Sequence, residues 1–210
     1  GGSITPGIVK IHDIDHEGQF DATIAVLTAE EVVKRVKRYP YIPKDEHERR
    51  ARWQFTAEAV RENSVRNTRI VEIATESKAA TLILVSTIEH GEHLAARIPG
   101  SLLVHAKLGK KKRTAAIEAF RNGTLRVMIA TSLADEGLDV PRAAVLILAA
   151  GGRSAGKLEQ RAGRVMRPHE GKEFGTVHDF TDRGAGLAHN QFKARARTYK
   201  RLGYKIQSAA

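Results

Sequence analysis

The chain has 210 residues, enough for one ordinary domain with an extension or two small ones, and 41% of them are hydrophobic, enough for a real core. Thirty-five lysines and arginines against 24 acids give a net charge of +11, which favours a polyanionic partner without separating DNA, RNA and acidic surfaces. With no cysteine, disulfides and thiolate-bound metals are excluded, and the longest apolar run, Ala143–Ala150, is far shorter than the roughly 18 residues of a membrane helix.

In chain order, residues 8–13 and 21–27 read as two strands joined in a hairpin by His16-Glu17-Gly18-Gln19. Residues 30–38 read as a short helix that Pro40 and Pro43 end, and a long charged helix starts near Asp45 and runs to about Glu62. Residues 1–66 are therefore expected to form linker strands and a helical insertion. Gly1-Gly2-Ser3 resembles a cloning remnant, so the natural chain is expected to extend upstream.

From Asn67 the pattern becomes regular. Helix 68–77 leads to strand 82–85, helix 89–97 to strand 101–104, and helix 111–121 to strand 126–130. In helix 111–121, Ala116, Ile117 and Phe120 share one face and Asn122-Gly123 ends it. A short helix near 133–137, strand 145–148, helix 157–166, strand 175–180 and a helix of about 184–201 follow. Apolar strands alternating with helices imply an α/β fold with a parallel sheet covered on both faces, and ligands on such sheets bind beyond the carboxyl ends of the strands. After Asp182 no acid occurs, while Lys193, Arg195, Arg197, Lys200, Arg201 and Lys205 make the last helix basic; a second basic cluster runs from Lys107 to Arg113.

Residues 158–168 read Leu-Glu-Gln-Arg-Ala-Gly-Arg-Val-Met-Arg-Pro. At about 100° per residue, Gln160, Arg164 and Arg167 share one helix face and Leu158, Ala162 and Val165 the opposite one. Two guanidiniums held side by side repel unless an anion comes between them, and Gly163 beside them leaves room for close approach. A solvated arginine-rich face is the bland alternative. Residues 130–141, Ala-Thr-Ser-Leu-Ala-Asp-Glu-Gly-Leu-Asp-Val-Pro, follow a strand directly; taken singly, Thr131 could be a helix cap and Asp139 a turn residue before Pro141.

Together these segments resemble motifs VI and V of superfamily 2 helicases, most closely the XPB-like and phage UvsW-like enzymes, over about residues 63–205. The resemblance implies a RecA-like domain at 67–210, the C-terminal motor lobe. It implies that Arg164 and Arg167 are arginine fingers reaching the γ-phosphate of ATP, with Gln160 sensing nucleotide state. Gly137, Asp139 and Gly163 would lie at the nucleotide, and Thr131 would bond a nucleic-acid phosphate. Leu82–Ser86 is similar to motif IV, which puts Ser86 at the nucleic-acid backbone. His105 with Lys110, Lys111 and Arg113 resembles the next block, although Ala106 stands where glycine is common, a departure from the pattern beside His105.

No convincing Walker A or Asp-Glu motif II is present. ATP and its magnesium are thus expected to be held mainly by a first RecA-like lobe upstream, the intramolecular partner, with DNA as the track and RNA an open alternative. Gly151–Lys157 nearly reads as a P-loop, but Leu158 stands where the magnesium-binding Ser or Thr should be. A stand-alone NTPase using Lys157 and a non-catalytic basic nucleic-acid-binding module are the alternatives. His90 and His93 are read as surface histidines and not as metal ligands. The expected location is cytoplasmic or nucleoid-associated.

Overall fold

A computed structural model describes residues 7–15, 44–131, 140–149, 175–183 and 185–209, together with 159, 162, 163, 165, 167, 169, 170 and 172; of 44–52 only the backbone is described. The strands are β1 (Gly7–Asp15), β2 (Thr81–Val85), β3 (Ser101–Val104), β4 (Val127–Thr131), β5 (Val145–Leu148), β6 (Gly175–Arg183) and β7 (Lys205–Ser208). The helices are α1 (Lys44–Glu62), α2 (Ser64–Glu76), α3 (Ile88–Ala95), α4 (Lys110–Asn122) and α5 (Gly186–Arg201). The seven strands form one sheet in the order β3-β4-β2-β5-β6-β1-β7, with every pairing parallel.

Strands buried on both faces need apolar side chains of both parities, and β2 supplies them as Thr-Leu-Ile-Leu-Val without a break. Leu82 and Leu84 face one layer with Ala116 and Phe120 of α4, Tyr199 of α5, and Ala162 and Val165. Ile83 and Val85 face the other layer with Ile70, Ile73 and Ala74 of α2 and Leu94 of α3. The result is the parallel sheet covered on both faces that the alternating pattern implied, with the RecA-like layering expected from the helicase resemblance.

Local chemistry sets the boundaries. Asn63 separates α1 from α2 because its Oδ1 accepts from Arg66 N at 2.8 Å and so caps the second helix. Thr87 does the same for α3 through His90 N at 3.2 Å. Gly123 ends α4 at φ 92°, a left-handed turn that an L side chain adopts at a cost.

One expectation needs correction. Strand 7–15 is not one arm of a hairpin: it lies inside the sheet, parallel to β6 on one side and to β7 on the other, while 21–27 lies outside the described residues. The basic last helix, expected at about 184–201, is α5, and it is fastened to the sheet. Arg195 is buried and donates from Nε to Asp179 Oδ2 at 2.8 Å and from Nη2 to Oδ1 at 2.9 Å, and Tyr199 donates its hydroxyl to Oδ2 at 2.8 Å. Burial, and then the Asp179 carboxylate, hold the Tyr199 phenol protonated well above its ordinary range. These bonds fasten α5 to β6, and β7 then closes the sheet; Lys193, Arg197, Lys200, Arg201 and Lys205 remain exposed. The long charged helix α1 also finds a core, with Val60 packed on Ala185 and Ala188.

Candidate nucleotide and nucleic-acid site

The sheet register places several of the predicted residues on one edge. Val85 pairs with Thr131 and Val104 with Ala130, so Ser86, His105 and Thr131 all stand at the carboxyl ends of the adjacent strands β2, β3 and β4. Ser86 is exposed and Thr131 is buried. A turn from His105 to Gly109 then brings α4 to the same edge. Lys110 and Lys111 are exposed and Arg113 half-buried in its first turn, and Gly109 offers no side-chain cap. Three lysines at a helix amino terminus oppose the macrodipole, an arrangement that favours a bound anion over intrinsic stability.

The second part of the site is the helical segment that includes residues 159, 162, 163 and 165. Ala162 and Val165 are wholly buried against the sheet, as the predicted two-faced helix requires. Gly163 is half-buried, and a Cβ built on it meets no atom within 4 Å, so this side of the helix is open to a close neighbour. Arg167 is exposed, and the exposed Glu159 carboxylate accepts from Arg201 Nη2 of α5 at 3.0 Å. Gln160, Arg164, Gly137 and Asp139 lie outside the described residues, as do Lys157 and the P-loop-like 151–157.

Structure adds positioning groups that the sequence reading missed. Arg66, wholly buried in the first turn of α2, donates from Nε to Asp182 Oδ1 at 3.1 Å and from Nη1 to the Ala149 carbonyl at 2.9 Å, with Phe180 beneath its guanidinium at 4.5 Å. It thereby pins the end of β5, the strand that leads into the arginine segment. Lys172 donates to the carbonyls of Pro141 at 2.9 Å and Ala143 at 3.1 Å and so holds the exit of the Gly-Leu-Asp-Val-Pro stretch; burial lowers its pKa to about 8. The cap at Asn63 was a visible signal for Arg66, whereas nothing local marks Lys172.

His90 requires another correction. It is 5% exposed, not a surface residue, because α3 turns it inward against α2. Asn67 gives its amide N–H to the Arg61 carbonyl at 2.6 Å, so its Oδ1 accepts from His90 Nε2 at 2.9 Å. Burial, followed by the positive charge of Arg66, lowers the His90 pKa to about 3. No group of three His, Asp or Glu side chains among the described residues could hold a metal ion, and no described helix is long and apolar enough to cross a membrane.

Comparison with known proteins adds four findings. Residues 65–169, half of the chain, match the family model described as the helicase conserved C-terminal domain. The DNA 3'-5' helicase XPB of Kineococcus radiotolerans is 31% identical over 120 residues, covering 54% of this chain and 21% of that protein. Nucleolar RNA helicase 2-B of Xenopus laevis is 31% identical over 103 residues, covering 47% of this chain and 13% of that protein. The chain thus spans about a fifth or less of these relatives' own length. Among solved structures, the crystal structure of T4 UvsW superposes over 99% of this chain and 42% of its own, with a TM-score of 0.64 at 15% identity.

Proposed function

Because the chain belongs to the helicase conserved C-terminal domain family, we propose that it is the C-terminal motor lobe of an ATP-dependent superfamily 2 DNA helicase or translocase. The observation that carries the reading is one of placement. Ser86, Thr131 and the basic first turn of α4 share the carboxyl edge of the sheet, where such folds bind ligands.

In this reading ATP is the substrate, bound with magnesium mainly by a first RecA-like lobe. This lobe contributes Arg164 and Arg167, which stabilise charge on the transferring phosphoryl group as the two lobes close. Gln160, Gly163, Gly137 and Asp139 line that closure. The open face beside Gly163 and the exposure of Arg167 fit such a role. Arginine fingers are worth on the order of 10³–10⁵ in rate in related phosphoryl-transfer systems. Ser86, Thr131, Lys110, Lys111 and Arg113 hold one strand through its phosphates, so the grip is sensitive to salt and nearly indifferent to sequence. DNA is favoured over RNA by the likeness to XPB-type helicases. RNA helicases are also similar to this chain, so competition between single-stranded DNA and RNA is the direct test.

Turnover by the full-length enzyme carrying Arg164→Ala tests the core of the reading. Loss of hydrolysis with ATP binding intact is expected, and retained hydrolysis would overturn the finger assignment. Hydrolysis by the 210-residue chain alone, beside a Lys157→Ala control, addresses the P-loop alternative. Turnover that vanishes with Lys157 would replace this proposal with that one.

A further inference from the structure

Away from the strand ends just described, the α2 side of β1 and β6 carries a polar stripe that the motor reading does not use. Lys10 and His12 of β1 lie beside Thr176 and His178 of β6, and α2 contributes Arg69. The two imidazoles stack with ring centroids 5.2 Å apart. Arg69 Nε, which can only donate, gives its hydrogen to His12 Nδ1 at 3.1 Å. His12 must then carry its proton on Nε2, which donates to His178 Nδ1 at 2.9 Å. Both rings stay neutral because burial, reinforced by neighbouring positive charge, lowers His12 to about 4 and His178 to about 3.

The remaining proton of His178 sits on Nε2, where it forms no hydrogen bond among the described residues, and His178, only 8% exposed, lines an open cavity of about 530 Å³. The same cavity is lined by Lys10, Arg69, Thr176 and Gln207, and Glu76 is the one acid among the described residues around it. A guanidinium thus polarises a two-histidine relay whose last N–H opens into a space lined by a lysine, the hydroxyl-bearing Ser77, Thr176 and Ser208, and the Gln207 amide. Lys10 and Arg69 bring positive charge to its lining against Glu76, and Arg69 is also paired with Glu72 at 3.3 Å, so Lys10 is the cation that a ligand would meet. Ile73 and Val145 add an apolar wall. The volume matches that of ordinary small-molecule sites, roughly 300–1,000 Å³.

We propose that this cavity is a second ligand site, separate from the strand-end site, and that it takes a small oxyanion, a phosphate or carboxylate, through His178 Nε2–H, Lys10 and Thr176. Charge-assisted bonds to an oxyanion satisfy all three donors at once. The histidine relay fixes the direction of the decisive N–H, so a cation or a pure hydrogen-bond donor is rejected.

Long-range ¹H–¹⁵N spectra of the imidazole rings in the ¹⁵N-labelled chain test this directly, with inorganic phosphate and succinate titrated at constant ionic strength against chloride. A saturable displacement of the His178 Nε2 signal is expected. Saturation by phosphate alone, succinate alone or both assigns the class of anion. Lys10→Ala, an exposed strand position whose loss leaves the fold intact, weakens that response at least about tenfold, as loss of a charged donor does. Lys200→Ala, on α5, leaves it unchanged. A His178 signal that follows ionic strength alone, or a saturable response indifferent to Lys10→Ala, overturns the proposal.

Discussion

Arg66 and Asp182 form an ion pair 3.1 Å long in which both side chains are buried, one in the first turn of α2 and the other near the end of β6. The same guanidinium holds the Ala149 carbonyl, so three elements meet at one side chain. Removing one partner of a buried pair strands the other charge out of water. Arg66→Ala is therefore expected to lower unfolding free energy by about 3–5 kcal/mol, read by urea denaturation. Arg66→Ala combined with Asp182→Ala should cost less than the two single changes summed, because the double change leaves no orphaned charge. Additive costs would mean that the pair is not coupled.

Neutral histidines make stability depend on pH in a definite direction. Burial lowers His12 to about 4, His90 to about 3 and His178 to about 3, all below the ordinary value near 6.5 that the unfolded chain regains. Between those limits the unfolded chain binds more protons than the folded one. The stabilisation is complete above about pH 6.5 and is lost as pH falls towards 4 and then 3. Each histidine contributes a slope of up to about 1.4 kcal/mol per pH unit. Denaturant midpoints at about pH 7.5, 6 and 5 measure it, with a steep fall over the last interval expected. His90→Gln, which keeps an amide near Asn67 but cannot titrate, flattens that fall; an equally steep profile in the variant would exclude His90 as a contributor.

Much of this arrangement was legible in the sequence because it is local. The unbroken apolar runs at 82–85 and 145–148, the spacing of Ala116 and Phe120, and the burial of Ala162 and Val165 opposite the predicted arginine face all follow from periodicity. What could not be read is pairing between distant residues. Nothing near residue 10 announces that β1 will lie between β6 and a strand at 205–208, and no short-range pattern joins Arg66 to Asp182 or His12 to His178. Arg195 illustrates the same limit. Its charge suggested a surface, but its partner Asp179 lies on another element, and the pair takes both inside.

Lys111 separates function from stability. It is exposed in the first turn of α4, where a positive charge opposes the helix dipole and no side-chain cap compensates. Lys111→Glu is expected to raise the stability of the chain by roughly 0.3–1 kcal/mol. The same change should weaken binding of single-stranded DNA and reduce the slope of log affinity against log salt by roughly 0.7, because one phosphate is no longer neutralised. Thermal melts and fluorescence-anisotropy titrations at several salt concentrations read the two effects. An unchanged salt slope would remove Lys111 from the nucleic-acid interface.

Gly163 offers the sharpest separation of the two. Its flanking residue Ala162 and the nearby Val165 are wholly buried, yet a Cβ on Gly163 meets nothing within 4 Å. A glycine inside a helix costs about 0.5–1 kcal/mol relative to alanine, so Gly163→Ala should leave the isolated chain as stable as before or more so. If the open face receives ATP or the opposing lobe as the motor closes, one methyl group is enough to spoil the approach. Turnover by the full-length enzyme should then fall on the order of tenfold to a hundredfold, the scale set by small misplacements of reacting groups. A variant that melts higher and hydrolyses ATP more slowly identifies the glycine as a functional opening. One that melts higher and turns over normally shows that nothing comes close to this face, and the closure geometry proposed for Arg164 and Arg167 would have to be drawn from another side of the helix.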